Sequence, residues 1–201
     1  MRTALIVVDV QRDFCLGGAL PVRDGDKVVP GLNKTITEFR KVGLPVFLTR
    51  DWHPPNHCSF KSQGGMWPSH CVQGTEGATF HPELDLLSNP QVISKGTNPA
   101  IEAYSGFQGT DLEWRLRTYE VNRVFIGGLA TDYCVKQTTI VARRAGFEVY
   151  VLKDCVRAVD ANRGDGERAF KEMKKAGARL TNSASAIYRL ASPVSPTQEE
   201  E

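Results

Sequence analysis

No stretch of this chain is long and apolar enough to cross a bilayer. The first hydrophobic run, residues 4–8, is interrupted by Asp9, too short and too soon charged for a secretory signal. An excess of charge of one sign is also missing. There are 25 basic and 23 acidic residues, the formal net charge is +2, and Lys and Arg are scattered. That removes the electrostatic case for a nucleic-acid or membrane-surface partner. The five cysteines, at 15, 58, 71, 134 and 155, are odd in number and include no Cys-x-x-Cys pair. A disulfide framework is thereby disfavoured, and reduced thiols in a cytoplasmic protein are expected. Internal repeats and a low-complexity interior are absent. A glycine-rich dinucleotide turn is lacking too: Gly164-x-Gly166-x-x-Ala169 fits the letters, but no strand leads directly into it. A dinucleotide-dependent oxidoreductase is disfavoured on that ground.

What is present is enough apolar residue, 41% over 201 positions, to bury one sizeable core. One domain over residues 1–190 is expected. A proline-containing and then acidic tail, 191–201, is expected to be disordered. Apolar runs at 3–8, 46–49, 91–94, 123–126, 147–152 and 178–181 read as strands, the first of them covered on both faces. Helical spacing falls at 28–41, 110–119, 132–145 and 166–175. The alternation predicts a three-layer α/β/α domain around a mostly parallel, roughly six-stranded sheet. Residues 52–89, rich in proline, glycine and histidine, are too long for an ordinary connection and read as an ordered functional excursion with little helix.

The residues with chemistry gather at one kind of place. Asp9, Asp51, Lys95 and Cys134 each lie at, or just past, the C-terminal end of a different expected strand. That edge is where open α/β sheets bind ligands. Cys134 follows a break at Gly127-Gly128 and opens a helix, where N–H groups and the positive helix end favour a thiolate and can hold an oxyanion. Its bland alternative is a small buried hydrophobe. Lys95 offers a cation, and Asp9 a base that takes the thiol proton and returns it to a leaving amine. Three of the four histidines, His53, His57 and His70, cluster just after Asp51. Asp51, His53 and His70 offer one oxygen and two nitrogen ligands, suited to Zn2+ or Fe2+ with positions open for water or substrate. His57 stands as a further ligand or a supporting group, and His81 reads as structural. Phe14, Trp67, Tyr104 and Phe107 are candidates to stack on a flat substrate, each with a core or lid role as its alternative. Cys155 follows the fifth expected strand, with no base or cation evident beside it.

Asp9-Val10-Gln11-x-Asp13-Phe14, Asp51-Trp52-His53-Pro54, Trp67-Pro68-x-His70-Cys71-Val72, Lys95-Gly96 and Gly128-Leu129-Ala130-Thr131-Asp132-Tyr133-Cys134-Val135 together resemble the nicotinamidases. These are isochorismatase-like cysteine hydrolases, and the match runs in order from about residue 3 to residue 190. The resemblance implies a Rossmann-type fold with Asp9, Lys95 and Cys134 as catalytic triad. It implies one divalent metal ion on Asp51, His53 and His70, Zn2+ or Fe2+ with Mn2+ as a further candidate. Phe14 and Trp67 would sandwich the substrate ring. A cis Leu129–Ala130 bond would aim the Ala130 N–H, with that of Cys134, at an oxyanion. The implied reaction is nicotinamide to nicotinate and ammonia through a thioester, in NAD salvage, with pyrazinamide as a related substrate. The expected partner is a small molecule, and self-association into a homo-oligomer is left open. One alternative is a relative acting on another small amide or ureido compound, which would need the same triad but not the metal set. Another is a metal-binding module without catalysis, marked by an inert Cys134.

Overall fold

In the computed structural model, residues 2–86 and 88–191 are described; of the expected 191–201 tail, residue 191 ends a helix and 192–201 lie outside the described residues. Six strands form one sheet: β1 (Thr3–Val8), β2 (Val46–Asp51), β3 (Gln91–Lys95), β4 (Arg123–Leu129), β5 (Glu148–Arg157) and β6 (Arg179–Thr181). Their order is β3-β2-β1-β4-β5-β6, and every pairing is parallel. The chain therefore winds outward in one direction from β1 and in the other from β4. The switch point lies between the C-terminal ends of those two central strands.

β1 shows why both faces are covered. Leu5 and Val7 point into one apolar cluster, while Ala4, Ile6 and Val8 point into another. The first cluster is closed by α1 (Val29–Lys41), through Leu32, Ile36 and Phe39, and by Ala186 of α5 (Ser183–Ala191). The second is closed by Leu112 and Leu116 of α2 (Leu112–Thr118), Ala142 of α3 (Lys136–Arg144), and Ala169 and Met173 of α4 (Asp165–Lys175). α1 starts with Pro30 in its first turn, where no N–H is needed. It stops where the Leu44 N–H turns back to the Phe39 carbonyl at 2.9 Å. The three-layer parallel arrangement expected from the sequence is the one found.

Four local expectations are corrected. The glycines at 127 and 128 do not break β4, which runs on to Leu129. The pairing with β5 shifts register between Ile126 and Gly128, and Gly128 takes φ +121° where β1 and β4 close up. A Cβ there would stand 2.0 Å from the Val8 carbonyl oxygen, so only glycine permits that approach. The following helix is entered through a π-turn, Thr131–Val135, rather than starting at Asp132. β5 extends to Arg157, so Cys155 lies within a strand and not after it. α5 was not anticipated from helical spacing.

The excursion between β2 and β3 is ordered with little helix, as expected. Among its described residues the one helical piece is a 3-10 turn, Lys61–Gln63. Bridges of His53 to Val72, Phe60 to Trp67, and Gln11 to Phe80 fold it over the C-terminal edge of the sheet. Phe60, fully buried, is its hub, with its ring 5.7 Å from His53, 5.8 Å from His57 and 5.4 Å from His70. None of the helices among the described residues is long and apolar enough to cross a membrane.

Candidate active site

Four strand ends deliver the chemistry. Asp9 is the first residue past β1, Asp51 ends β2, Lys95 ends β3, and Cys134 sits in the π-turn after β4. All four are buried, and Lys95 is the point on which they converge. Its ammonium lies 2.9 Å from Asp9 Oδ2 and donates to Asp51 Oδ1, to the Ala103 carbonyl at 3.2 Å and to Cys134 Sγ at 3.4 Å. Asp9 Oδ1 accepts the Thr49 hydroxyl at 2.6 Å. Burial would discharge Lys95, but Asp51 and Asp9 outweigh it and hold the amine firmly cationic.

A helix start and a lysine favour the thiolate, but they are not the largest influence on Cys134. Burial is the dominant effect on Cys134 and pushes it well above an ordinary thiol; the Lys95 cation opposes that, and a hydrogen bond to Asp9 adds to it. The resting sulfur therefore keeps its proton, because desolvation of the thiolate exceeds what the cation returns. Asp9 is raised as well, by its own burial, with Lys95 pulling the other way. Donor and acceptor of the proton thus lie within 4.8 Å of each other, shifted in the same direction.

Asp51 faces two ways. Oδ1 holds Lys95, while Oδ2 lies 3.6 Å from His53 Nε2. Burial alone would raise this carboxyl, yet Lys95 and His53 keep it well below the usual range, so it is ionised. One ligand atom from each of Asp51, His53 and His70 lies within 4.8 Å of the others. His53 Nδ1 is 2.9 Å from the Gly96 carbonyl and His70 Nδ1 is 2.8 Å from the Pro68 carbonyl. Those contacts take the N–H on Nδ1 and leave both Nε2 lone pairs facing inward, the arrangement a metal-binding imidazole needs. Asp51 brings the set a buried negative charge that a bound cation would offset. On donor type, spacing and charge, the three residues fit a divalent ion. Gly96 makes this possible: at φ +63°, a Cβ on it would come within 2.4 Å of the His53 ring. A second grouping, Asp9, Asp51 and Cys134, is as close-set, but the Lys95 ammonium already occupies its centre.

His57 is brought near but not into this set. Its ring stacks on His53 at 4.1 Å, with Nδ1 2.7 Å from Ser59 Oγ and Nε2 3.2 Å from the Ile101 carbonyl. Both nitrogens are engaged, which makes it a supporting group here. His81 accepts the Glu83 N–H at 3.2 Å, in keeping with its structural reading.

A pocket opens over Cys134, with His70 and Asp51 on its floor and Phe14, Trp67, Tyr104 and Tyr133 around it. Leu20, Leu129, Ala130 and Val159 complete the apolar wall. The Phe14 ring stands 5.6 Å from His70, and the Trp67 indole donates to Tyr104 Oη at 3.0 Å. The Leu129–Ala130 peptide is cis. Phe107 is elsewhere, packed 6.1 Å from Phe147 in the core. Cys155 is fully buried, its thiol pushed up to about 12 chiefly by burial. Of the residues not singled out by type, Tyr133 edges Trp67 at 5.1 Å, Phe60 backs the histidines and Thr49 holds Asp9. Tyr133 adjoins Cys134 in the sequence, whereas Phe60 and Thr49 carry no local signal.

A thiol whose sulfur lies within 4.8 Å of a buried carboxylate, with an ammonium set against both, is equipment for thiol-dependent hydrolysis. The chain belongs to the isochorismatase family: the isochorismatase domain model matches residues 3–185. It is 42% identical to the nicotinamidase of Escherichia coli, over 88% of this chain and 93% of that one. Among solved structures it resembles the pyrazinamidase of Pyrococcus horikoshii in complex with zinc, with 51% identity, TM-score 0.86, and coverage of 90% of this chain and 99% of that one. PnC1 of L. infantum in complex with nicotinate matches at 37% identity and TM-score 0.85, covering 92% and 94%.

Proposed function

We propose that this protein is a nicotinamidase, hydrolysing the carboxamide of nicotinamide to nicotinate and ammonia, with pyrazinamide as a related substrate. The observation that carries this reading is Asp51, which holds Lys95 of the thiol cluster with one oxygen and faces the two histidines with the other. The hydrolytic groups and the metal set are thereby one site, opening into an aromatic pocket. That combination suits a flat heteroaromatic amide better than a ureido compound. Asp51, His53 and His70 would hold the divalent ion, Zn2+ or Fe2+ with Mn2+ as a third candidate. When bound, the ion supplies a Lewis-acidic anchor for the ring nitrogen.

The chain's own residues carry the reaction. Phe14 and Trp67 flank the ring and set the carboxamide over Cys134. Asp9 accepts the thiol proton, a short transfer between two groups that burial has raised together. Lys95 then neutralises the thiolate, so no uncompensated charge forms in the dry pocket. The sulfur attacks the carboxamide carbon. The Ala130 and Cys134 amides receive the oxyanion, contacts of a kind worth about 3–4 kcal/mol per donor. Asp9 returns its proton to the departing ammonia. A water deprotonated by Asp9 then cleaves the thioester and releases nicotinate.

The test is ammonia release from nicotinamide by purified protein supplied with Zn2+, Fe2+ or Mn2+, beside a panel of other small amides and ureido compounds. Preference for nicotinamide and pyrazinamide supports the reading. A preference for a ureido substrate, or no turnover with any of the three ions, overturns it.

A further inference from the structure

Gln11 is a fully buried amide for which the chemistry above has no use. Its surroundings follow from how β1 ends. In a continuing parallel ladder, the Asp51 N–H would bond to the Asp9 carbonyl, and the Asp51 carbonyl would receive the N–H of residue 11. The ladder reaches as far as the Asp9 N–H, which meets the Thr49 carbonyl at 3.1 Å. There Asp9 turns to φ +49°, and its carbonyl is taken instead by the Gln11 N–H at 2.9 Å. Both main-chain groups of Asp51 are left facing a strand that has gone.

The Gln11 side chain replaces it. Its Oε1 accepts the Asp51 N–H at 2.7 Å, and its Nε2 donates to the Asp51 carbonyl at 2.8 Å. The second Nε2 hydrogen reaches the Ala78 carbonyl at 2.9 Å, so both donors are used. No other natural side chain of this length presents one acceptor and two donors in a plane. Gln11 thus joins the two residues that the turn separates, Asp9 through its own main-chain N–H and Asp51 through its side chain.

We infer that Gln11 is a positioning residue for the metal site: its side-chain amide stands in for the missing β1 backbone and fixes the main chain of Asp51, and so the direction of its carboxylate. The inference rests on the assignment of Asp51, His53 and His70 to a metal and needs no assumption about the organic substrate. A carboxylate that must serve Lys95 with one oxygen and an ion with the other tolerates little rotation, which is why its backbone needs a partner on both sides.

The experiment compares Zn2+ affinity, by chelator competition, for the native sequence, Gln11→Met and Gln11→Glu. The first variant keeps the volume and loses all three hydrogen bonds; the second keeps the acceptor and loses both donors. Phe39→Leu, in the core under α1, serves as a control destabilised without touching the site. The expected result is a tenfold or greater rise in the Zn2+ dissociation constant for both Gln11 variants, and less than a twofold change for Phe39→Leu at comparable loss of melting temperature. Faster amide hydrogen exchange at Asp51 in the metal-free Gln11→Met protein, which loses the acceptor of that N–H, is expected alongside and does not depend on the ion. Unchanged Zn2+ affinity in a folded Gln11 variant overturns the inference and leaves Gln11 a structural residue. A native protein that binds no Zn2+ in one-to-one ratio overturns the metal assignment itself, a distinguishable failure.

Discussion

The two edges of the sheet carry the same kinds of charged side chain and use them in opposite ways. At the N-terminal edge, Arg2 meets Glu120 at 2.8 Å with side chains 56% and 77% exposed, and Arg123 meets Glu148 at 2.6 Å with both about a quarter exposed. Water solvates these ions whether or not they pair, so such contacts contribute little to stability. At the C-terminal edge, Lys95 and Asp9 are 0% exposed and Asp51 is nearly so. Removing those charges from water costs several kcal/mol per ion, and one ammonium cannot fully satisfy two carboxylates. A hydrophobic replacement would make a more stable sheet edge. The buried cluster is intelligible as chemistry held at the expense of stability, and the exposed pairs as ordinary surface.

Substitutions at either edge sharpen that contrast, the largest effects coming first. Cys134→Ala is expected to abolish ammonia release from nicotinamide while leaving the melting temperature close to native, because it removes the proposed nucleophile and one buried sulfur. Lys95→Met is expected to lose activity by several orders of magnitude and to destabilise the fold by about 3–5 kcal/mol, since it strands two buried carboxylates. Urea unfolding and initial rates check both halves, and a stable Lys95→Met protein would refute the account of the cluster. His70→Ala is expected to weaken Zn2+ binding at least tenfold and to raise KM for nicotinamide, with Cys134 still alkylated at the native rate.

At the other edge, Arg123→Ala is expected to cost less than about 1 kcal/mol and leave the kinetics unchanged. Its pH dependence has a definite sign. Burial tends to raise the Glu148 carboxyl, but Arg123 and Tyr150 outweigh it and hold the folded-state pKa below the ordinary glutamate value. That contribution is present above the unfolded-state pKa, near about 4.3, and is lost as pH falls through the depressed folded-state value. The deficit of Arg123→Ala should therefore be seen at neutral pH and fade in acid; a deficit that grew in acid would reverse the argument. Arg2→Ala, with both partners well exposed, is expected to move stability by a few tenths of a kcal/mol at most.

How much of this was legible in the chain follows from what is local. β1, with its uninterrupted apolar run, appears at the expected residues, and the core face of α1 follows its helical spacing. Asp9, Asp51, Lys95 and Cys134 could be grouped because the strand-end rule is topological and needs only strand positions. Gly127-Gly128 was misread because a close strand approach and a strand break have the same composition; which one occurs depends on β1, far away in sequence. How strongly Cys134 is pushed toward its protonated form was out of reach for a related reason. A helix start and a nearby lysine are visible in the residues, but burial is a property of the assembled fold, and here it dominates. His57 and Phe107 had the right residue types at plausible positions. Their removal from the site depends on which loop partners engage them: Ser59 and Ile101 in one case, Phe147 in the other.

The central claim is that the buried thiol at the switch point is the group that acts on the carboxamide. Protein loaded with Zn2+, mixed briefly with nicotinamide and quenched in acid, can be digested and its peptides weighed by mass spectrometry. The account predicts a nicotinoyl adduct on the peptide carrying Cys134, absent when nicotinamide is omitted. Turnover accompanied by an adduct on Cys155, or an active Cys134→Ala protein, would contradict it.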